Sequence, residues 1–354
     1  MFSKDIGYIT DHLTDFYHGK GGTSLLQIRS IDECECKEPQ RPLNEWNFDT
    51  ELEAYLDARA ERTIKYWENR ADIEDVMIPS VTAWYGIAEH TAWLGGEVDF
   101  SVDTSYNHQI IENIEDLPSL KIDPENVWFY RVAGGIKYLR EKFGDRIYTR
   151  LRGADAPSDI ANIVRGNDLF YDLYDDPDEI KKLADFCADG MKYYFSRQQE
   201  ACGMLNNGYL TGFDIWLPGN SVGQISEDAS CMMSPDMYRE IFFDALKQST
   251  EGYDNVMMHT HSLGAAQIPT FASLKNITVM EISNDPNAPR AMEVWRKYKR
   301  ELCDKVVIVA PTFDELRENA DLLAEGRSII WYYAKTKDEA RSVADFMKQF
   351  DKNI

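Results

Sequence analysis

From about residue 74 onward, short apolar runs alternate with long amphipathic stretches. The runs are VMIPSVTAWYG (76–86), RIYTRLRG (146–153), NGYLTGFDIWLPG (207–219), NVMMHTHSLG (255–264), ITVMEISND (277–285), KVVIVAP (305–311) and RSIIWYYAK (327–335). Their length and their β-branched and aromatic content predict strands. Between them DDPDEIKKLADFCADGMKYYFSRQQEA (175–201), SPDMYREIFFDALKQSTEG (234–252) and TKDEARSVADFMKQF (336–350) space apolar residues as helices do. Such alternation predicts a parallel sheet covered on both faces by helices.

Seven runs, with EVDFSVD (97–103) as an eighth strand, predict an α/β fold of the (β/α)8 TIM-barrel type. An open doubly wound sheet would carry a glycine-rich phosphate loop after its first strand, and SVTAWYGIAEH (80–90) is not one. The first 40 residues or so read as polar and irregular, closing with KEPQRPLN (37–44). A helix follows over FDTELEAYLDARAERTIKYWENR (48–70), with Asp49 or Thr50 placed to cap it. Residues 1–72 are therefore expected to form a helical extension packed on a barrel of residues 73–354.

Composition narrows the function classes. The chain has 61 acidic and 38 basic residues, a formal charge of −23, which repels nucleic acid and anionic membrane surfaces. A polyanionic partner would need a local basic pocket. No run reaches the roughly 18 apolar residues of a membrane helix. The opening residues lack the pattern of a secretory signal. The six cysteines are scattered, as expected of free thiols in a cytoplasmic protein. Cys34 and Cys36 form a C-x-C pair, half of a tetrahedral zinc site, and read as an exposed loop.

Barrel enzymes place their chemistry at the C-terminal ends of strands. Those ends offer Arg152 and Asp155; Asp214, Trp216 and Asn220; His259 and His261; Glu281, Ser283, Asn284 and Asp285; and Trp331, Tyr332 and Tyr333. A spacing of two puts both histidines on one strand face, where imidazole nitrogens can bind Zn²⁺. Glu281, near the end of the next strand, is the expected third ligand. The alternative is that both histidines hydrogen-bond a substrate carboxylate. Asp155 and Asp285 also read as caps of following helices. Arg152 would either grip a substrate anion or pair with Asp155. No G-x-S-x-G elbow supports nucleophilic catalysis.

Three segments carry a family resemblance: GADAPSDIANIVRGNDLFYDLYDDPDEIKKLADF (153–186), SEDASCMMSPDMYREIFFDALKQ (226–248) and MMHTHSLGAAQIPTFASLKNITVMEISND (257–285). Together the chain resembles the uroporphyrinogen decarboxylase superfamily over about residues 75–345. The resemblance implies a (β/α)8 barrel and one of two chemistries. One branch decarboxylates uroporphyrinogen without a cofactor and grips it with an arginine-rich R-Q-A-G-R segment, absent here. The other comprises corrinoid-linked methyltransferases that bind zinc through H-x-C and a second cysteine near the last strand.

The methyltransferase branch matches better. His259 aligns with its histidine, His261 replaces its cysteine, and Tyr332 and Tyr333 stand where the second cysteine would be. Nitrogen and oxygen ligands would make the zinc harder, favouring an O- or N-bound methyl group over a thiol. The expectation is a zinc-dependent methyltransferase moving a methyl group between a small O- or N-methyl substrate and a corrinoid carried by a partner protein. His259, His261 and Glu281 would hold zinc, and Asp214 and Glu281 would act in catalysis. Arg152, Trp216, Asn220, Tyr332 and Tyr333 would bind substrate. A homodimer is admissible; nucleic acid and membrane partners are not expected. The rivals are a metal-free decarboxylase acting on an acidic substrate and a non-catalytic barrel that binds a small molecule.

Overall fold

A computed structural model describes residues 4–351; residues 1–3 and 352–354, the extreme ends of the two expected segments, lie outside the described residues. Seven strands form one parallel sheet: β1 (Ser24–Ile31), β6 (Ala154–Asp155), β9 (Ser221–Ser226), β10 (Asn255–His261), β11 (Ile277–Ser283), β12 (Val306–Val309) and β13 (Arg327–Ala334). Their order is β1-β13-β12-β11-β10-β9-β6. A separate parallel pair joins β2 (Ser80–Val81) to β5 (Tyr148–Thr149). Among the described residues no ladder joins β1 to β2 or β5 to β6, so the hydrogen-bonded ring does not close. The architecture is α/β with a large parallel sheet.

Alternation along the strands gives the sheet two apolar faces. Leu25, Met257, Val279, Ile308 and Ile329 belong to one buried cluster. Their neighbours Leu26, Met258, Met280, Val307 and Ile330 belong to the other, together with the buried residues of the covering helices. Helix Lys337–Met347 shows how the outer layer is made: Ala340, Val343 and Met347 are buried, and Thr336 caps its start by accepting the Glu339 N–H at 3.2 Å. The inner face is closed at its N-terminal end by helix Ile6–Tyr17, whose Ile9, Leu13 and Phe16 join the inner cluster. Tyr17 is tied there by its carbonyl, which accepts from Arg327 at the start of β13 at 2.9 Å. The same parity that turns Met257 inward turns His259 inward two residues later.

Several expectations change. The opening residues are not irregular: β1 lies beside β13, and Gln27 and Arg29 point into the interior on its inner face. The helix over 48–70 starts at Leu52, with Glu51 at the cap position and no side-chain cap bond from Asp49 or Thr50. EVDFSVD is not a sheet strand; β3 (Val98–Phe100) pairs antiparallel with β4 (Ser105–Asn107) as a hairpin. The run 207–219 also folds back on itself, as β7 (Gly208–Leu210) against β8 (Trp216–Pro218). The sheet position expected for it is taken by β9, which begins two residues after that run ends. Cys34 and Cys36 are both buried, their thiols directed at the carbonyls of Asn69 and Arg62 at 3.6 Å.

Candidate metal centre

Strands β10 and β11 pair in parallel with His259 opposite Glu281 and His261 opposite Ser283. Glu281 is hydrogen-bonded to Nδ1 of His259, and its other oxygen accepts from Ser283 Oγ at 2.9 Å. Asp285, beyond the end of β11, meets Nδ1 of His261 at 2.6 Å and accepts the Leu263 N–H at 2.8 Å. Each imidazole therefore has a carboxylate behind it. A carboxylate accepts only, so each Nδ1 carries its proton, and in the neutral ring each Nε2 presents a lone pair. Those two Nε2 atoms lie 3.1 Å apart. Two facing lone pairs at that distance repel unless a proton or a cation sits between or beside them.

Asp228 completes the convergence. Its oxygens stand 3.9 Å from His259 Nε2 and 3.6 Å from His261 Nε2. The three donor atoms all lie within 4.8 Å of one another. Two imidazoles and a carboxylate, each imidazole backed by an acid, form a donor set suited to a borderline divalent ion such as zinc. Burial would depress His259, but its bond to Glu281 and the charges of Glu281, Asp228 and Asp155 raise it above the ordinary histidine value. Asp228 is raised by burial, against the pull of the two histidines. Asp285 is lowered: burial is outweighed by the Leu263 N–H and by His261. An excess of negative charge therefore surrounds the imidazoles, which favours a bound cation.

The centre opens on a cavity of about 530 Å³ lined by Trp84, Tyr106 and Phe213 among apolar groups, and by His90, Arg152, Asp155, Asp159, Asp228 and His259. Phe213 lies edge-on to His259 with centroids 5.3 Å apart. On another part of the wall Glu89 pairs with Arg152, whose guanidinium reaches His90 Nε2 at 3.4 Å, while His90 Nδ1 meets Asp155 at 3.1 Å. The loop bearing Asp228 is clamped reciprocally. Asp159 accepts the N–H groups of Asp228 and Ala229 at 2.8 and 2.6 Å, and Glu227 accepts the Ser158 N–H at 3.2 Å and the Tyr238 hydroxyl at 2.6 Å. Burial pushes Glu227 up to about 7 and Asp159 well above the carboxylate range.

The residues expected from sequence fall into three groups. His259, His261 and Glu281 are together, but Glu281 stands behind His259 rather than among the converging donors. Arg152 is on the cavity wall, paired with Glu89 instead of Asp155. Asp155 and Asp285 cap no helix; each holds a histidine ring. The others lie elsewhere. Asp214 is ion-paired with Arg150 at 2.7 Å and Arg29 at 3.2 Å, and although burial would raise it, those guanidiniums hold it below the usual carboxylate range. Trp216 is buried in the inner core with its indole N–H on the Leu205 carbonyl at 2.9 Å. Asn220 precedes β9, at the opposite end from the histidines, bonded to Gly252 at 3.0 Å. Tyr332 faces the outer layer, donating to Glu339 at 2.7 Å, and Tyr333 is exposed. Trp331, one residue earlier, is the aromatic that turns inward against Phe213.

Asp228, His90 and Glu89 did not emerge from the sequence. Asp228 follows β9 immediately, and recognising VGQIS as the strand would have put it at a strand end.

No family model and no curated protein matches the chain. Among solved structures it is similar to a methyltransferase from Methanosarcina mazei, with a TM-score of 0.61 across 97% of this chain and 98% of that one at 12% identity. At that identity the likeness is one of fold.

Proposed function

We propose that the protein is a zinc-dependent methyltransferase on a (β/α)8 scaffold, moving a methyl group between a small O- or N-methyl substrate and a corrinoid carried by a partner protein. The observation that carries this reading is the approach of His259 Nε2, His261 Nε2 and Asp228 to one point at the cavity edge. The full-length similarity in fold to a methyltransferase supports it. In this reading His259, His261 and Asp228 are the ligands, and Glu281 moves from ligand to orienting group.

Zinc bound there would supply Lewis acidity to the oxygen or nitrogen that gives up the methyl group. The chain's own residues do the rest. Glu281 and Asp285 keep each Nδ1 protonated, so each Nε2 remains a donor. Phe213 and Trp84 give the cavity apolar walls that limit water around the reacting methyl group. The Glu89–Arg152–His90–Asp155 chain fixes a carboxylate on the wall to orient polar substrate groups. The acids on that wall disfavour a porphyrinogen bearing several carboxylates, the substrate of the rival decarboxylase reading.

The test joins metal analysis to methyl transfer. The purified protein should hold one equivalent of zinc per chain, and His259→Ala should fold yet hold none. Transfer from a panel of methyl ethers and methylamines to free cob(I)alamin should stop with a chelator and return with zinc. Zinc retained by His259→Ala, or turnover indifferent to chelation, would contradict the reading.

A further inference from the structure

A second cavity, of about 390 Å³, adjoins the first across Trp84, which lines both. Its polar lining comprises Gln40, Arg41, Tyr55, Arg59 and Asp103. The two arginines differ. Arg41 stacks on Trp46 at 4.1 Å and is held by both oxygens of Glu51 at 2.9 and 3.0 Å, so its charge is cancelled. Arg59 stacks on Trp84 at 5.1 Å and donates Nε to the Thr82 carbonyl at 3.0 Å. Among the described residues no acid is ion-paired with it. Its guanidinium is thus pinned by stacking, by the Thr82 carbonyl and by the neighbouring Tyr55 hydroxyl, and no carboxylate cancels its charge in a chain of net charge −23.

The surroundings add to that surplus. Burial pushes Arg150 down to about 10, Asp214 opposes this, and Arg152, Arg59 and Arg29 add to it as neighbouring cations. The acids paired with these four arginines are two: Asp214 with Arg29 and Arg150, and Glu89 with Arg152. Four guanidiniums against two carboxylates leave two positive charges, and of the four only Arg59 both lacks an acid and lines a cavity. Asp103, the remaining acid on that wall, is exposed at the rim. A planar guanidinium on the cavity wall, fixed against an indole and without a carboxylate partner, matches the geometry of a carboxylate ligand.

We propose that the cavity at Arg59 is a binding site for a small organic carboxylate, gripped by the Arg59 guanidinium beside Trp84. The site stands independently of the proposed function.

Calorimetric titration of the full chain with benzoate, and with its uncharged isostere benzamide, tests this. Benzoate should bind, benzamide should bind at least about tenfold more weakly, and Arg59→Gln should weaken benzoate by about tenfold or more. Arg59→Lys, which keeps the charge without the fork, should fall between the two. His259→Ala should bind benzoate as the wild type does, so loss of the metal reading leaves this result standing. In the unsubstituted protein, added salt should weaken benzoate and spare benzamide. Undetectable benzoate binding, equal affinity for benzamide, or an affinity unchanged in Arg59→Gln would each overturn the proposal.

Discussion

Asp214 and His259 both sit in buried polar clusters at the sheet's inner face, and the clusters are built in opposite ways. Around Asp214 the charges are matched by ion pairs: Ser80 donates at 2.6 Å, Arg150 and Arg29 each face an oxygen, and Arg29 lies over Trp331 at 4.7 Å. Around His259 the carboxylates Glu281 and Asp285 stand on the far side of the rings, and the near side brings two Nε2 atoms and the Asp228 carboxylate together. In the first arrangement the carboxylate faces its counter-charges directly. The second is complete only with a proton or a cation added. An acid at a strand end therefore says little about catalysis until its counter-charges are counted.

That contrast can be broken by substitution. Asp214→Ala strands two buried arginines and should cost about 3–5 kcal/mol in urea unfolding, whereas Asp228→Ala in chelator, which removes a half-exposed carboxylate, should cost far less. Equal costs would erase the distinction. Zinc should raise the unfolding free energy of the wild type, by about 2.7 kcal/mol at a hundredfold excess over Kd, and leave His259→Ala unmoved. The two clusters should also part with pH. The folded pKa of Asp214 is depressed, so its contribution is complete above the unfolded value of about 3.9 and is lost as pH falls through the folded value. Acid unfolding followed by circular dichroism should therefore begin lower in the wild type than in Asp214→Asn. Smallest of all, Asn220→Ala and Tyr333→Ala should change zinc affinity by less than twofold and stability by about 0.5 kcal/mol or less, since neither reaches the cavity.

The sequence made the α/β alternation legible because buried parallel strands leave continuous apolar runs such as VVIV, and covering helices leave periodic ones. It made the histidines legible because a spacing of two survives any error in the strand's ends. It misled where apolar residues serve something other than the sheet. GYLTGFDIWLP is as apolar as a strand, yet it turns back at Phe213 and Asp214, which both adopt positive φ. Beside it SVGQIS, with Gly223, Gln224 and Ser226, does not stand out as an apolar run, so neither β9 nor Asp228 after it is legible. β1 was missed because Gln27, Arg29 and Ser30 interrupt its apolar pattern, and their partners, Trp331 and Asp214, are distant in the chain. The resemblance points to Tyr332 and Tyr333, where the second cysteine would stand, whereas Tyr332 faces the outer layer, Tyr333 is exposed, and Trp331 turns inward.

The most direct check of the central claim is the zinc affinity of Asp228→Ala beside that of Glu281→Gln, measured by competition with a chromophoric chelator. If Asp228 is a ligand and Glu281 an orienting group, Asp228→Ala should lose more than about a hundredfold and Glu281→Gln between about ten- and a hundredfold. Wild-type affinity in Asp228→Ala would contradict it.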